Sequence, residues 1–409
     1  MEFNSGSEFV LSEFIAQFGG QYAGDGGQRP RLYQAPGRIN IIGEHTDYND
    51  GFVLPATVDL HTWVAIAPRT DRVLRVHACN DVRTVSIDLD RIEAGESGDW
   101  PEYVKGVAWS LALEGLRLRG ADLVFAGNIP LGGGLSSSAS LEVLLAFALL
   151  ECSDIELERK KIALACQRAE AGFVGVQCGI MDQYTIACGS SNQAMLLDCR
   201  SQEYERFDLP GQAALLLVHS GIRHQLSAGS FNARRNECRQ AVEILASVIP
   251  GLESLRDLEM DQLEHHRTLL SDELYRRCRH VLTENLRVVQ ARMALEEGNS
   301  SLLGQLMSAS HLSLRDDYQV SCPELDLLVE IAVECEGLWG SRMMGGGFGG
   351  CTISLVDSDM AEQAEETICS QYSRETGREP WTHIVGPADS VKRIDGLRTS
   401  AAGAQKEQL

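Results

Sequence analysis

No apolar run in this 409-residue chain approaches the ~20 residues that a membrane-crossing helix needs. The first residues, Met1 to Glu8, are polar and acidic and lack the apolar segment of a secretory signal, so a cytoplasmic protein is expected. Basic residues are scarce: 36 Lys and Arg stand against 58 Asp and Glu, a formal net charge of -22. Such a balance attracts neither nucleic acid nor an anionic membrane, and a nucleotide substrate would need locally placed cations or a bound metal. Cysteine is plentiful at 12, but no C-x-x-C pair occurs, and the spacing of Cys166, Cys178, Cys188 and Cys199 fits no zinc pattern. Reduced thiols, mostly buried as small apolar residues, are expected. A Walker A loop is also missing, because no Gly-Lys-Ser/Thr follows the glycines.

What the chain does have is a dense glycine–serine stretch, Pro130-Leu-Gly-Gly-Gly-Leu-Ser-Ser-Ser-Ala-Ser-Leu-Glu142. Gly132, Gly133 and Gly134 carry no Cβ, so the backbone can turn tightly and come close to a ligand. Ser136, Ser137 and Ser138 precede an apolar run, Leu141 to Leu150, broken only by Glu142. The pattern predicts a loop entering the N-terminus of a buried helix. Free N–H groups and the helix dipole there suit an anion such as phosphate. A plain turn with a serine cap fits the same residues, so the stretch alone leaves both readings open.

A second dense stretch, Ala35 to Pro55, opens with turn residues and continues as a short β-type run through Ile39, Ile41 and Ile42. It then packs Glu44, His45 and Asp47 into four positions ahead of the apolar Phe52 to Leu54. A polar cluster between apolar runs does not read as solvated surface. Elsewhere, periodicity predicts helices at 9–20, 100–113, 156–175, 228–248, 258–297 (two, divided near Leu270), 299–318, 323–337 and 359–373. Strands are predicted at 31–34, within 61–90, and at 121–126, 195–198, 213–219, 351–356 and 381–385. Glu170 falls on the 156–175 helix, Gly179 permits a turn before Asp182, and Arg342 to Gly350 forms a second glycine loop. Strands dominate the first half and helices the second. The reading is α+β with two domains, 1–210 and 211–390, followed by a frayed tail, 391–409.

Three stretches together resemble one family. Pro36-Gly-Arg-Ile-Asn-Ile-Ile-Gly-Glu-His-Thr-Asp-Tyr-Asn-Asp-Gly-Phe-Val-Leu-Pro55 looks like the signature of galactokinases. Pro130 to Ser140 resembles the ATP loop of the wider GHMP kinases, which include homoserine, mevalonate and galactose kinases, and Gly345-Gly-Gly-Phe-Gly-Gly-Cys351 resembles their third motif. The resemblance runs in the family's order over roughly residues 9 to 385. It implies a two-domain α+β GHMP-kinase fold with the active site in the cleft between the domains. The reaction it implies moves the γ-phosphoryl group of ATP to the anomeric C1 hydroxyl of α-D-galactose, giving galactose 1-phosphate and ADP.

The resemblance also implies roles. Gly132, Gly133, Gly134, Leu135, Ser136, Ser137 and Ser138 would wrap the ATP phosphates, with Trp100 and Tyr103 around adenine; plain core aromatics remain the alternative for those two. Ser138 and Glu170 would hold Mg2+, a hard ion that takes oxygen ligands and keeps waters. Asp182 and Arg38 would be the catalytic pair. A neighbouring arginine makes a carboxylate a weaker base, so Asp182 would accept the hydroxyl proton late in a loose transition state, with Arg38 stabilising the charge. Glu44, His45, Thr46, Asp47 and the backbone of Gly179 would bind the sugar, and His45 could instead orient its neighbours.

One position departs from the family. Phe231 stands where galactokinases usually carry a tyrosine whose hydroxyl bonds the sugar. Losing one neutral hydrogen bond costs about 0.5–1.5 kcal/mol, so a higher galactose KM or looser sugar selectivity is expected. Two alternatives stand beside the galactose kinase: a kinase for a related sugar such as N-acetylgalactosamine, and a catalytically silent galactose/ATP sensor. Such sensors lose residues from the Ser/Ala loop, whereas Ser138, Ala139, Asp182 and Arg38 are all present. The sequence does not set the oligomeric state; a monomer is favoured slightly.

Overall fold

The computed structural model describes residues 6–19, 22, 29–95, 98–222 and 227–394. In chain order the first half runs α1 (Gly6–Phe18), β1 (Arg31–Asn40), β2 (Phe52–Val53), β3 (Pro55–Pro68), β4 (Val73–Ala78), β5 (Arg83–Asp88), α2 (Trp100–Leu113), β6 (Ala121–Gly127), α3 (Ser137–Cys152), α4 (Arg159–Ala169), α5 (Met181–Cys188), β7 (Gln193–Asp198) and β8 (Tyr204–Asp208). The second half runs β9 (Ala213–His219), α6 (Ser227–Ala246), α7 (Met260–His265), α8 (Asp272–Glu296), α9 (Ser300–Ser313), α10 (Pro323–Val333), β10 (Leu338–Met343), β11 (Cys351–Asp357), α11 (Ala361–Thr376), β12 (Trp381–Ile384) and β13 (Lys392–Ile394).

Alternation along the strands explains why the first sheet is covered on both faces. Val64 and Ile66 of β3 and Leu123 of β6 point to one face, where α2 to α5 pack. Their neighbours Ala65, Ala67, Val124 and Ala126 point to the other, against Val10, Phe14 and Phe18 of α1. Helix α3 is apolar nearly all round and is accordingly buried, as the run Leu141 to Leu150 demands. The sheet has nine strands in the order β13-β1-β3-β6-β4-β5, with β7 pairing β2, β3 and β8 off that path. A register shift between Pro36 and Gly37 interrupts the β1–β3 ladder, where proline has no N–H to give. That bulge lies just before Arg38.

The second sheet is antiparallel, β10-β11-β9-β12. Leu216 and Val218 of β9 face Leu328 and Ile331 of α10 and Ala364 and Ile368 of α11. The alternate residues Leu215 and Leu217 face inward and share one core with Ile39, Ile41, Leu54 and Ala56 of the first half and with Val288 of α8 and Met307 of α9. Fully burying such side chains stabilises by about 1.5–3 kcal/mol each, so the two halves are joined by a common core. This mixed α and β architecture agrees with the α+β reading, and among the described residues no helix is long and apolar enough to cross a membrane.

Several elements differ from expectation. Residues 156–175 are not one helix: α4 ends at Ala169 and a π-helical turn, Glu170–Val174, follows. Helix α5 occupies a stretch for which no element was expected, just after the turn at Gly179; β8 was not anticipated, and β10 begins where the α10 helix was expected to end. The frayed tail needs correction at its start. Val391 is fully buried and donates its N–H to Ile186 O at 3.0 Å, and Lys392 to Ile394 pair with Gln34 to Leu32 of β1. The open edge of β1 supplies those hydrogen bonds, which a polar three-residue stretch does not announce. The division expected near Leu270 falls where the Ser271 hydroxyl caps α8, accepting from Leu274 N–H at 3.2 Å.

Candidate active site

The glycine–serine loop joins β6 to α3. Gly132, Gly134 and Ser136 all have left-handed backbone, with φ of 75°, 74° and 57°. The Leu135 side chain is buried in the core shared by the two halves, so it anchors the loop while its backbone remains part of it. Across the cleft lies the second glycine loop, between β10 and β11. A Cβ on Gly345 would come within 3.0 Å of Gly134 Cα, so the two loops touch backbone to backbone. Beside the start of α3 is a cavity of about 490 Å³, lined by Trp100, Tyr103, Phe125, Asn80, Asp81, Ser137 and Ser138 among others. Trp100 donates its indole N–H to Asp81 at 2.7 Å and stands edge-on to Phe125. Trp100 and Tyr103 thus line the cavity on one side and pack against the core on the other.

Ser138 donates its hydroxyl to Glu170 Oε1 at 3.0 Å. Glu170 stands at the junction of α4 and the π-helical turn, Glu170–Val174. Burial, then the charge of Asp182, pushes its carboxyl above the usual range. Gln183 holds the other oxygen, donating to Glu170 Oε2 at 2.7 Å and to Glu142 Oε2 at 3.1 Å. Glu142 is fully buried inside the apolar run of α3, and burial pushes its carboxyl well up. The sequence marked Glu142 as a break in that run and gave it no role, and it passed over Gln183.

Asp182 sits in the first turn of α5, where the helix dipole favours a carboxylate. Arg38 reaches it from β1: Nε and Nη2 both lie 2.7 Å from Oδ1, and Nη1 donates to Gly134 O in the loop. Ser136 donates to the other oxygen, Oδ2. The Arg38 side chain is 6% exposed and that of Asp182 25%, so the carboxylate faces the open pocket while the guanidinium stays behind it.

The expected sugar residues divide into two groups. Asp47 reaches directly over Gly179, where a Cβ would lie 2.0 Å from Asp47 Oδ2, so only glycine fits. Burial, then the Asp182 charge, holds the Asp47 carboxyl up to about 7. Glu44 is buried, and its Oε1 accepts from Arg342 at 2.9 Å and from Gly345 N–H at 2.8 Å. Thr46, in contrast, has its hydroxyl within 2.8 Å of Gly43 O and 2.6 Å of Phe52 O, so it braces the turn. His45 turns toward an aromatic cluster: Nδ1 lies 2.7 Å from the Tyr48 hydroxyl, and its ring centroid is 4.7 Å from that of Tyr318 and 5.6 Å from that of Phe231. Burial lowers its pKa to about 3, which keeps it neutral. Phe231, on α6, also packs edge-on to Tyr48 at 5.1 Å; residues 223–226, just before that helix, lie outside the described residues.

A loop suited to phosphate beside an aromatic-walled cavity, facing a cluster of carboxylates, defines a kinase of small molecules. Family models match the chain in three places: the galactokinase galactose-binding signature over residues 12–68, the GHMP kinases N terminal domain over 102–190 and the GHMP kinases C terminal over 291–374. The chain is 44% identical to the galactokinase of Roseiflexus sp. (strain RS-1), covering 89% of this chain and 93% of that protein. It is also 44% identical to that of Chloroflexus aurantiacus, covering 90% and 94%. The crystal structure of Lactococcus lactis galactokinase complexed with galactose matches with a TM-score of 0.90 at 31% identity, covering 95% of this chain and 99% of that one. Methanococcus jannaschii mevalonate kinase, at 18% identity, shares the fold with a TM-score of 0.62 over 89% of this chain and 100% of its own. This chain belongs to the galactokinases, a branch of the ATP-dependent GHMP kinases.

Proposed function

We propose that this chain moves the γ-phosphoryl group of ATP to the C1 hydroxyl of α-D-galactose, with Asp182 and Arg38 as its catalytic residues. One observation carries the assignment. Asp182 accepts from Ser136 of the glycine–serine loop, and its charge also helps hold up the carboxyl of Asp47, which packs on Gly179, so the proposed phosphate and sugar sites meet at Asp182. Adenine is read into the Trp100–Tyr103 cavity, and the phosphates onto the loop from Gly132 to Ser138 and the N-terminus of α3. Ser138 and Glu170 fit Mg2+: both ligand atoms are oxygens, and a carboxyl pushed up by burial gains from a nearby cation. Among the described residues no three His, Cys, Asp or Glu side chains gather for a metal, which suits an ion whose other ligands are phosphate and water. When bound, Mg2+ neutralises charge on the phosphates.

Galactose is proposed to donate its hydroxyls to Glu44 and Asp47 and to meet the backbone of Gly179, with neutral His45 and Thr46 supporting the turn. The C1 oxygen forms its bond to the γ-phosphorus as the bond to the leaving ADP oxygen breaks. The proton of the C1 hydroxyl passes to Asp182 Oδ2, the oxygen on the Ser136 side, late in the transfer. Arg38, fixed on Oδ1, stabilises the negative charge that develops in the transfer. A cytoplasmic location accords with the need for ATP; cell fractionation is the check. The experiment for the whole reading is sugar-dependent ADP release over a panel of hexoses. Galactose should lead, and Asp182→Ala should lose at least ~10²-fold in kcat. No turnover with any sugar alongside measurable galactose binding would mark a silent sensor instead.

A further inference from the structure

We infer that Arg342 and Glu284, both from the second half of the chain, are positioning residues that set how Glu44 meets the sugar; the inference rests on reading Glu44 as a sugar ligand. The turn that carries Glu44 is braced by Thr46 and also leans on the second half of the chain. Gly43 and His45 have left-handed backbone, with φ of 103° and 63°. The N–H groups of Gly43 and Glu44 both point to Glu284 Oε1 on α8, at 2.9 and 3.3 Å, and the Glu44 carbonyl lies 3.1 Å from His280 Nε2 on the same helix. Glu284 is itself locked, accepting from Ser310 at 2.6 Å and from Arg287 at 2.7 Å. Arg287 leads the charges that keep its buried carboxylate ionised, with a pKa of about 2.

The Glu44 side chain is fixed from β10 and the loop after it. Among the described residues, both of its carboxylate hydrogen bonds fall on Oε1, from Arg342 Nη2 and Gly345 N–H, which leaves Oε2 as the acceptor for a ligand. Arg342 cannot swing: its side chain is 0% exposed and also donates to Ile41 O at 2.8 Å, Asn40 O at 2.6 Å and Met343 O at 2.9 Å. A buried ion pair of this kind contributes little net stability against an apolar replacement, whereas it fixes a carboxylate in one orientation. Sugar selectivity needs such an acceptor held to within about half an ångström.

The test is a double-mutant cycle read in both KM values. Glu44→Gln should raise the galactose KM. Arg342→Lys keeps the charge but loses the fork, and should raise the galactose KM about 10-fold while the ATP KM stays within about 2-fold. On the Glu44→Gln background the Arg342→Lys change should add less than about 2-fold, since its target is already altered. Equal rises in both KM values, full additivity, or an unchanged galactose KM in a folded Arg342→Lys protein would overturn the inference. Should Arg342→Lys fail to fold, Glu284→Gln takes its place, with an expected rise of about 3-fold or more that likewise vanishes on the Glu44→Gln background; an additive or absent effect there overturns it. An unchanged galactose KM in Glu44→Gln alone would instead remove the reading on which the inference rests.

Discussion

Replacing Asp47 by asparagine should stabilise the folded protein and weaken its hold on sugar, and the size of both effects follows from the pocket. The carboxyl is held up from 3.8 to about 7, first by burial and then by the charge of Asp182. About three pK units at ~1.4 kcal/mol each set a ceiling of about 4 kcal/mol on what ionised Asp47 costs the fold. Asp47 is half-buried, and water at its open side reduces this, so a gain of about 1–2 kcal/mol and a Tm rise of about 1–2 °C are expected at pH 8. The sign depends on pH. In the unfolded chain the group ionises near 3.9; between that value and about 7 the folded chain binds more protons, so the cost grows as pH rises and levels off above 7. The Tm advantage of Asp47→Asn should therefore be full at pH 8 and clearly smaller at pH 5.5. The same change removes a charged acceptor, worth about 1.5–3 kcal/mol, and should raise the galactose KM about 10- to 100-fold. Ligand-free calorimetry at the two pH values, with steady-state kinetics, checks both. A Tm advantage independent of pH, or a loss of Tm at pH 8, would refute the reasoning.

Other changes bear on single contacts. Phe231→Tyr restores a hydroxyl beside His45 and Tyr48 and should lower the galactose KM by up to about 10-fold or sharpen selection among epimers; if neither moves, the departure at this position has no bearing on sugar. Gly179→Ala would place a Cβ 2.0 Å from Asp47 Oδ2 and should raise the galactose KM at least ~10-fold with the ATP KM little changed, as measured by varying each substrate in turn. Glu170→Gln should raise the Mg2+ concentration for half-maximal rate by about 10-fold or more, and an unaltered Mg2+ titration would remove Glu170 from the metal site. For the wild type, galactose KM should rise as pH falls below about 7, because a protonated Asp47 loses acceptor capacity.

The parts of this protein written in local pattern were legible in the sequence. The strand, glycine loop and buried helix from Ala121 to Cys152 follow from one apolar run and three residues without Cβ. The polar cluster at Glu44 to Asp47 stood out because apolar strands flank it. Elements that depend on distant partners did not show. Helix α5 has only eight residues and no side-chain cap, and it is held by packing against the core beneath it. The π-helical turn at Glu170 has no local signature separate from the helix before it. Strand β13 takes its register from β1, more than 350 positions earlier. The supports of the sugar turn lie farther still from pattern: Glu284 meets Gly43 across 241 positions, and Arg342 meets Glu44 across 298.

The central claim concerns which oxygen of which sugar receives the phosphoryl group, and 31P and 1H NMR of the reaction with ATP, Mg2+ and galactose observe that directly. α-Galactose 1-phosphate should form in equal amount to ADP, and at least ~10²-fold more slowly with Asp182→Ala. Phosphate on another hydroxyl, or ADP released without a sugar phosphate, would contradict it.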